Sequence, residues 1–254
     1  MTPPPVHLPP HKLARRDYAG ARAYPVTEPN MPSVTALDGP TRAAQLLAQI
    51  AWADVENSKR WLPWISKEQQ KLKDTGKKWR YSTACNIFAS DMAKLYGAFF
   101  PRVYWTDEAL EAIAAGVTPL VKYGETVHEL SANALDGWMR EWGSGYGWQA
   151  AGPELAQKTV NEGGFGLALA GKGGGIGHVS VIRPETEEEP ALRDPRTGIV
   201  IAPAQCQAGA RNDAYFATAW WNKSGHRGGL FVCPWTDPAE LLKRAARTAT
   251  DLLG

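Results

Sequence analysis

Between residues 41 and 61, Ala44, Leu46, Leu47, Ile50, Ala51 and Val55 recur at helical spacing, and Asp38 or Thr41 can cap the start. The pattern predicts a core-packed helix ending near Trp61 and Pro63. Residues 67–78 carry lysines without an apolar stripe and read as a solvated face. A second helix is expected over 81–97, with Ile87, Phe88, Met92 and Leu95 on one stripe, Gly97 as its stop and Cys85 in its first turn. Shorter helices are expected from Thr106, over 130–142 and over 153–162, with 143–147 as a glycine loop. From residue 165 the period changes: 165–170 is an apolar run of strand length, 178–182 alternates, 198–202 and 229–233 are further strands, and 238–253 closes with an amphipathic helix. Helices first and an antiparallel sheet afterwards predict an α+β domain. Residues 1–40 mix proline with charge and read as a tail or arm, leaving 41–254 as the domain, with an insertion around 99–150.

Composition then narrows the class. A chain of 254 residues fits one large domain, and 28 Lys+Arg against 26 Asp+Glu give a net charge of +2, which carries no footprint for nucleic acid. No run approaches the roughly 20 apolar residues of a membrane span. Prolines interrupt the opening residues where a secretory signal needs a continuous apolar stretch, so the chain is expected to be made in the cytoplasm without such a signal. Three cysteines without a C-x-x-C exclude a disulfide scaffold and a four-cysteine zinc site. The eleven tryptophans need a reason. Trp138, Trp142, Tyr146 and Trp148 gather around the 143–147 loop, either as a wall for a sugar or peptide or as core filler, and Trp220 and Trp221 pose the same choice.

Candidate chemistry starts at Cys85, because the free N–H groups and dipole of a first helical turn favour a thiolate. A thiol nucleophile needs a base. Of five histidines, His7 and His11 lie in the tail, and His128 and His226 lie in irregular or polar surroundings. His178 opens a strand directly after the glycine run 173–177. A third side chain must hold the imidazole, and an antiparallel return of the strand 199–205 would bring Gln205 and Gln207 beside His178, with Asn212 as a further option. Tyr81, four residues before Cys85, can donate to an oxyanion or substrate. Residues 166–173 come within one position of a phosphate-binding loop, but Gly173 lacks the hydroxyl that follows the lysine. A zinc site from Cys85, His178 and Cys206 has no ligand pair at finger-like spacing. No metal or other cofactor is called for.

The block Ala84-Cys85-Asn86-Ile87-Phe88-Ala89-Ser90-Asp91, followed about ninety residues later by Gly177-His178-Val179-Ser180-Val181-Ile182, resembles the papain-like hydrolases of bacterial cell walls, the NlpC/P60 and CHAP group. The resemblance spans roughly residues 80–235 and departs at Ala84-Cys85-Asn86-Ile87, where NlpC/P60 domains carry Asp-Cys-Ser-Gly. It implies a papain-like fold, with the cysteine on an N-terminal helical part and the histidine on a C-terminal sheet. It also implies cleavage of amide bonds in the peptidoglycan stem peptide. The segment 207–212 is similar to a recurring element of such domains and favours Gln207 as third residue. Asn86, Gln205, Asn212, Trp148 and Tyr81 stand as substrate or oxyanion candidates. A wall hydrolase without its own export signal is expected to reach a target cell's periplasm through a type VI-like secretion apparatus, or to be released by lysis. An immunity protein would then cover the Cys85 cleft. Two other readings are a papain-like toxin acting on a host protein by proteolysis, deamidation or acyl transfer, and a non-catalytic glycan-binding module.

Overall fold

The computed structural model describes residues 32–236 except 121, 123, 174 and 224. Most of the expected tail and the whole helix expected over 238–253 lie outside the described residues. Helix α1 (Gly39–Ala53) begins where Asp38, in extended conformation, accepts the Thr41 N–H at 2.9 Å and Pro40 occupies the first turn. It stops earlier than the apolar spacing suggests, because Asp54 turns left-handed at φ 43°. The chain then folds back and buries Trp61, whose indole N–H donates to the Ala53 carbonyl at 2.9 Å. Residues 32–38 are packed on the domain: the Gln49 amide donates to the Pro32 carbonyl at 3.0 Å, and Val34 is buried.

The lysine-rich stretch forms α2 (Lys67–Asp74), capped by Ser66 and buried nowhere along its length. Helix α3 (Cys85–Tyr96) is its opposite, with Ile87, Phe88, Ala89, Met92 and Ala93 wholly inside. Its N-cap is Ala84, which offers no side-chain cap, and the helix starts at Cys85 rather than at residue 81. It ends at Gly97, whose φ of 95° suits glycine and whose N–H reaches the Ala93 and Lys94 carbonyls.

The insertion builds a small layer of its own. Strands β1 (Val103–Trp105) and β2 (Val127–Glu129) pair antiparallel, with α4 (Asp107–Ala114) between them in sequence and Val103, Trp105, Ala109 and Val127 as a separate core. Next come α5 (Ala132–Trp142), a 3-10 turn (Gly143–Tyr146), β3 (Gln149–Ala151) and α6 (Pro153–Asn161). The tryptophans here are core: Trp138 and Trp148 are buried, Phe99 stacks on Tyr146 at 4.6 Å between centroids, and the Trp148 indole N–H donates to the Phe99 carbonyl at 2.8 Å.

The fold is α+β, organised around a six-stranded antiparallel sheet. The sheet takes up β3, β4 (Phe165–Lys172), β5 (His178–Ile182), β8 (Gln205–Ala208), β9 (Asn212–Phe216) and β10 (His226–Cys233) in the spatial order β3-β10-β4-β5-β8-β9. Residues 165–170 are buried at every position, so both faces are covered and the strand reads as a continuous apolar run rather than an alternating one. Helix α3 packs on β5 and β8, α5 on β4, α6 on β10 and β4, and α1 on α3 and α6.

One expected pairing is different. The strand anticipated over 198–202 is shortened to β7 (Val200–Ala202), and it pairs with β6 (Leu192–Arg193) rather than with the His178 strand. Side chains of α6 take the backbone donors on either side of Pro203: Glu154 accepts the Val200 N–H at 2.7 Å and Gln157 accepts the Ala204 N–H at 2.8 Å. The neighbour of β5 is therefore the next strand, β8, with Val181 opposite Cys206 and Ile182 opposite Gln205. Among the described residues no helix is long and apolar enough to cross a membrane.

Candidate active site

Cys85 is the first residue of α3 and only 4% exposed. Its place at the helix start leaves first-turn N–H groups without partners inside the helix. The Thr83 hydroxyl donates to Sγ at 3.8 Å, and the Val179 N–H and the His178 side chain also hydrogen-bond the sulfur.

His178 is delivered by the packing in front of it. A Cβ on Gly177 would lie 2.5 Å from the Ala170 carbonyl oxygen and would also strike Asn133, so only glycine lets the chain turn into β5 this tightly. Asn133 ties the preceding loop to α5 by donating to the Gly175 carbonyl and accepting the Lys172 N–H, each at 2.9 Å. The imidazole Nε2 lies 2.6 Å from Gln207 Oε1 on β8. The Gln207 amide nitrogen in turn donates to Asp213 Oδ2 at 2.7 Å. An amide oxygen only accepts, so Nε2 carries the proton and Nδ1 is the nitrogen left for the thiol. Trp220 packs against the ring edge-on at 4.7 Å between centroids, and Gly209 approaches it closely enough that a Cβ there would lie 3.3 Å from Cε1.

The electrostatics follow from these contacts. Burial pushes the Cys85 thiol up, but the hydrogen bond and charge of His178, with Thr83 and the Val179 N–H, outweigh it and hold the thiol below its ordinary value. Burial pushes His178 down, yet the Cys85 sulfur and the Gln207 oxygen hold it above the usual imidazole value. Each partner favours the charge on the other, which is the condition for a thiolate–imidazolium pair. Cys206 is the contrast: burial pushes its thiol up to about 12, so it remains a protonated, apolar filler. Cys233 is likewise raised by burial. Among the described residues no three His, Cys, Asp or Glu side chains group as a metal site.

The remaining sequence candidates are placed elsewhere or engaged otherwise. Asn86 donates to the Leu130 carbonyl at 2.8 Å and ties α3 to the segment before α5. Gln205, on the same face as Gln207, is engaged otherwise: it accepts from the Ser180 hydroxyl at 2.7 Å and the Trp220 indole at 2.9 Å, and donates to the Pro203 and Thr218 carbonyls. Asn212 donates to the Val55 and Trp61 carbonyls at 2.9 and 3.0 Å and binds β9 to the turn after α1. Trp148 is core. Tyr81 is 51% exposed and packs edge-on against Trp79. His128 is exposed on β2, and His226 opens β10 next to Trp220 rather than lying in a solvated turn.

Thr83, Trp220 and Asp213 belong to this constellation and were not read as such from sequence. For Asp213 a signal existed: a hairpin with its turn at Gly209–Arg211 places it opposite Gln207. Comparison with family models, with curated proteins and with solved structures found no match.

Proposed function

We propose that this protein is a papain-like cysteine hydrolase that cleaves amide bonds of the peptidoglycan stem peptide. The observation that carries the hydrolase reading is the hydrogen-bonded line from Cys85 through His178 to Gln207, with the thiol depressed and the imidazole raised. A nucleophile, a base within reach of it and a group that orients the base are the elements that thiol acyl transfer requires. The substrate class rests on the sequence resemblance of the Cys85 and His178 blocks to cell-wall hydrolases.

In this reading His178 Nδ1 takes the Cys85 proton, and the thiolate sulfur bonds to the carbonyl carbon. N–H groups at the start of α3 stabilise the oxyanion. The oxyanion collapses, the C–N bond breaks, and the imidazolium proton goes to the departing amine, which leaves a thioester. Water, deprotonated by His178, adds to that carbonyl. The second oxyanion expels the Cys85 thiolate and frees the acid. Gln207 keeps Nε2 engaged throughout, so Nδ1 stays aimed at sulfur.

The test is mass spectrometry of muropeptides from purified sacculi incubated with wild type and with Cys85→Ala. Wild type is expected to give new free amine and carboxyl ends, and the variant none. Folded, reduced wild type that leaves the muropeptides unchanged sinks the wall substrate and favours a host-protein substrate. We also propose delivery into a target periplasm, with an immunity protein over the Cys85 cleft. Expression directed to the periplasm is then expected to be toxic, cytoplasmic expression harmless, and Cys85→Ala harmless in both.

A further inference from the structure

We propose that Asp213 is a positioning residue that fixes which end of the Gln207 amide meets His178; the inference rests on the thiol-hydrolase reading above. A glutamine amide has an acceptor end and a donor end of nearly the same shape. Turned one way, its oxygen accepts from Nε2–H of a charged imidazolium. Turned the other, its NH2 opposes that N–H and favours the neutral ring. The contact with His178 does not by itself choose between them.

Asp213 makes the choice. It stands opposite Gln207 in the β8–β9 pairing, is 7% exposed, and puts Oδ2 at 2.7 Å from Gln207 Nε2. A carboxylate only accepts, so it admits the NH2 end and rejects the oxygen end. Its other oxygen is held by Arg211 Nε at 2.7 Å, which settles the rotation of the carboxylate. Arg211 is itself 87% exposed, so that ion pair adds orientation more than energy. Charged and titratable groups reach this line from several elements: Cys85 from α3, Arg211 and Asp213 from the turn into β9, and Glu56, which accepts the Ala214 N–H at 3.0 Å, from the segment after α1. Trp220, the other neighbour of the ring, is neutral and leads on to His226.

The experiment is the pH dependence of Cys85 alkylation by iodoacetate, followed at the Cys85 peptide by mass spectrometry. The sulfur forms a C–S bond and iodide leaves. The reagent is an anion, so a thiolate beside an imidazolium reacts faster than a thiolate beside a neutral ring. Wild type is expected to show a fast plateau bounded by an acid limb, where the thiolate forms, and an alkaline limb, where His178 loses its proton. Asp213→Leu fills the buried volume without an acceptor. It is expected to move the alkaline limb down by about one pH unit, a fall of about fivefold in rate at the midpoint of the wild-type limb. Asp213→Ala is expected to do the same and serves where leucine disturbs the turn. Gln207→Ala is expected to match them, and Asp213→Leu added to Gln207→Ala to cause no further shift, because Asp213 acts through the amide.

An alkaline limb unmoved in both Asp213 variants overturns the proposal. So does a further shift in the double variant, which would mean direct action by charge or packing. A wild type without the bounded plateau, reacting as a lone thiol with a midpoint near about 8.5, instead overturns the thiol-hydrolase reading itself. The two failures are thus told apart.

Discussion

At Cys85 burial opposes ionisation, and contact with His178 reverses the balance. The same contact holds the His178 proton against burial. If the acyl-transfer reading holds, His178→Ala is expected to lower turnover on muropeptides by about 10²–10⁴-fold, with the fold intact by circular dichroism. Thr83→Val removes one donor to the sulfur while keeping the side chain's shape. It is expected to raise the thiol's pKa and, on the acid limb below that pKa, to slow iodoacetamide alkylation by about threefold, since there a thiol reacts in proportion to its thiolate fraction. The Cys and His positions were legible in the chain because a helix start and a strand start after glycines are local features. Thr83 was not, because a threonine two residues before a cysteine is unremarkable until the sulfur's environment is known.

At the level of elements, α6 determines which strand meets the His178 strand. Gln157, 1% exposed, accepts the Ala204 N–H at 2.8 Å and donates to the Arg183 carbonyl at 3.0 Å, clamping the chain on both sides of the loop that contains β6 and β7. Gln157→Leu leaves both backbone groups buried without these partners and is expected to cost at least about 1–3 kcal/mol. Urea unfolding followed by tryptophan fluorescence checks this, with the midpoint lowered and the slope unchanged. Alternation along 205–207 correctly put Gln205 and Gln207 on one face, toward Ser180 and His178 respectively. What alternation could not supply was the register, which here depends on a helix some fifty residues upstream in the chain.

For the molecule as a whole, the charge pair ties stability to pH. Cys85 is depressed in the folded state, so its contribution is lost as pH falls through the folded thiol value. His178 is raised, so its contribution is lost as pH rises through the folded imidazole value. The melting temperature of wild type relative to Cys85→Ser is therefore expected to be highest between these two values and to decline on both sides, as thermal scans across pH would show. A difference that is flat with pH would mean that the pair does not form.

Local order along the chain was sufficient for the α+β class, for most helices, and for a short set of chemically able residues. Caps, glycine stops and apolar periods act over a few positions, and so do the features that single out Cys85 and His178. Tertiary structure alone decided that the tryptophans around residues 138–148 fill the core and that β8 rather than β7 lies beside β5, and it put Gln207, which the resemblance of segment 207–212 already favoured, against the imidazole. Each of those outcomes depends on hydrogen bonds or packing between residues far apart in sequence. The orientation of one amide, held by Asp213, is set instead across a hairpin, between residues six apart in sequence: the two ends of a glutamine differ only in what lies opposite them.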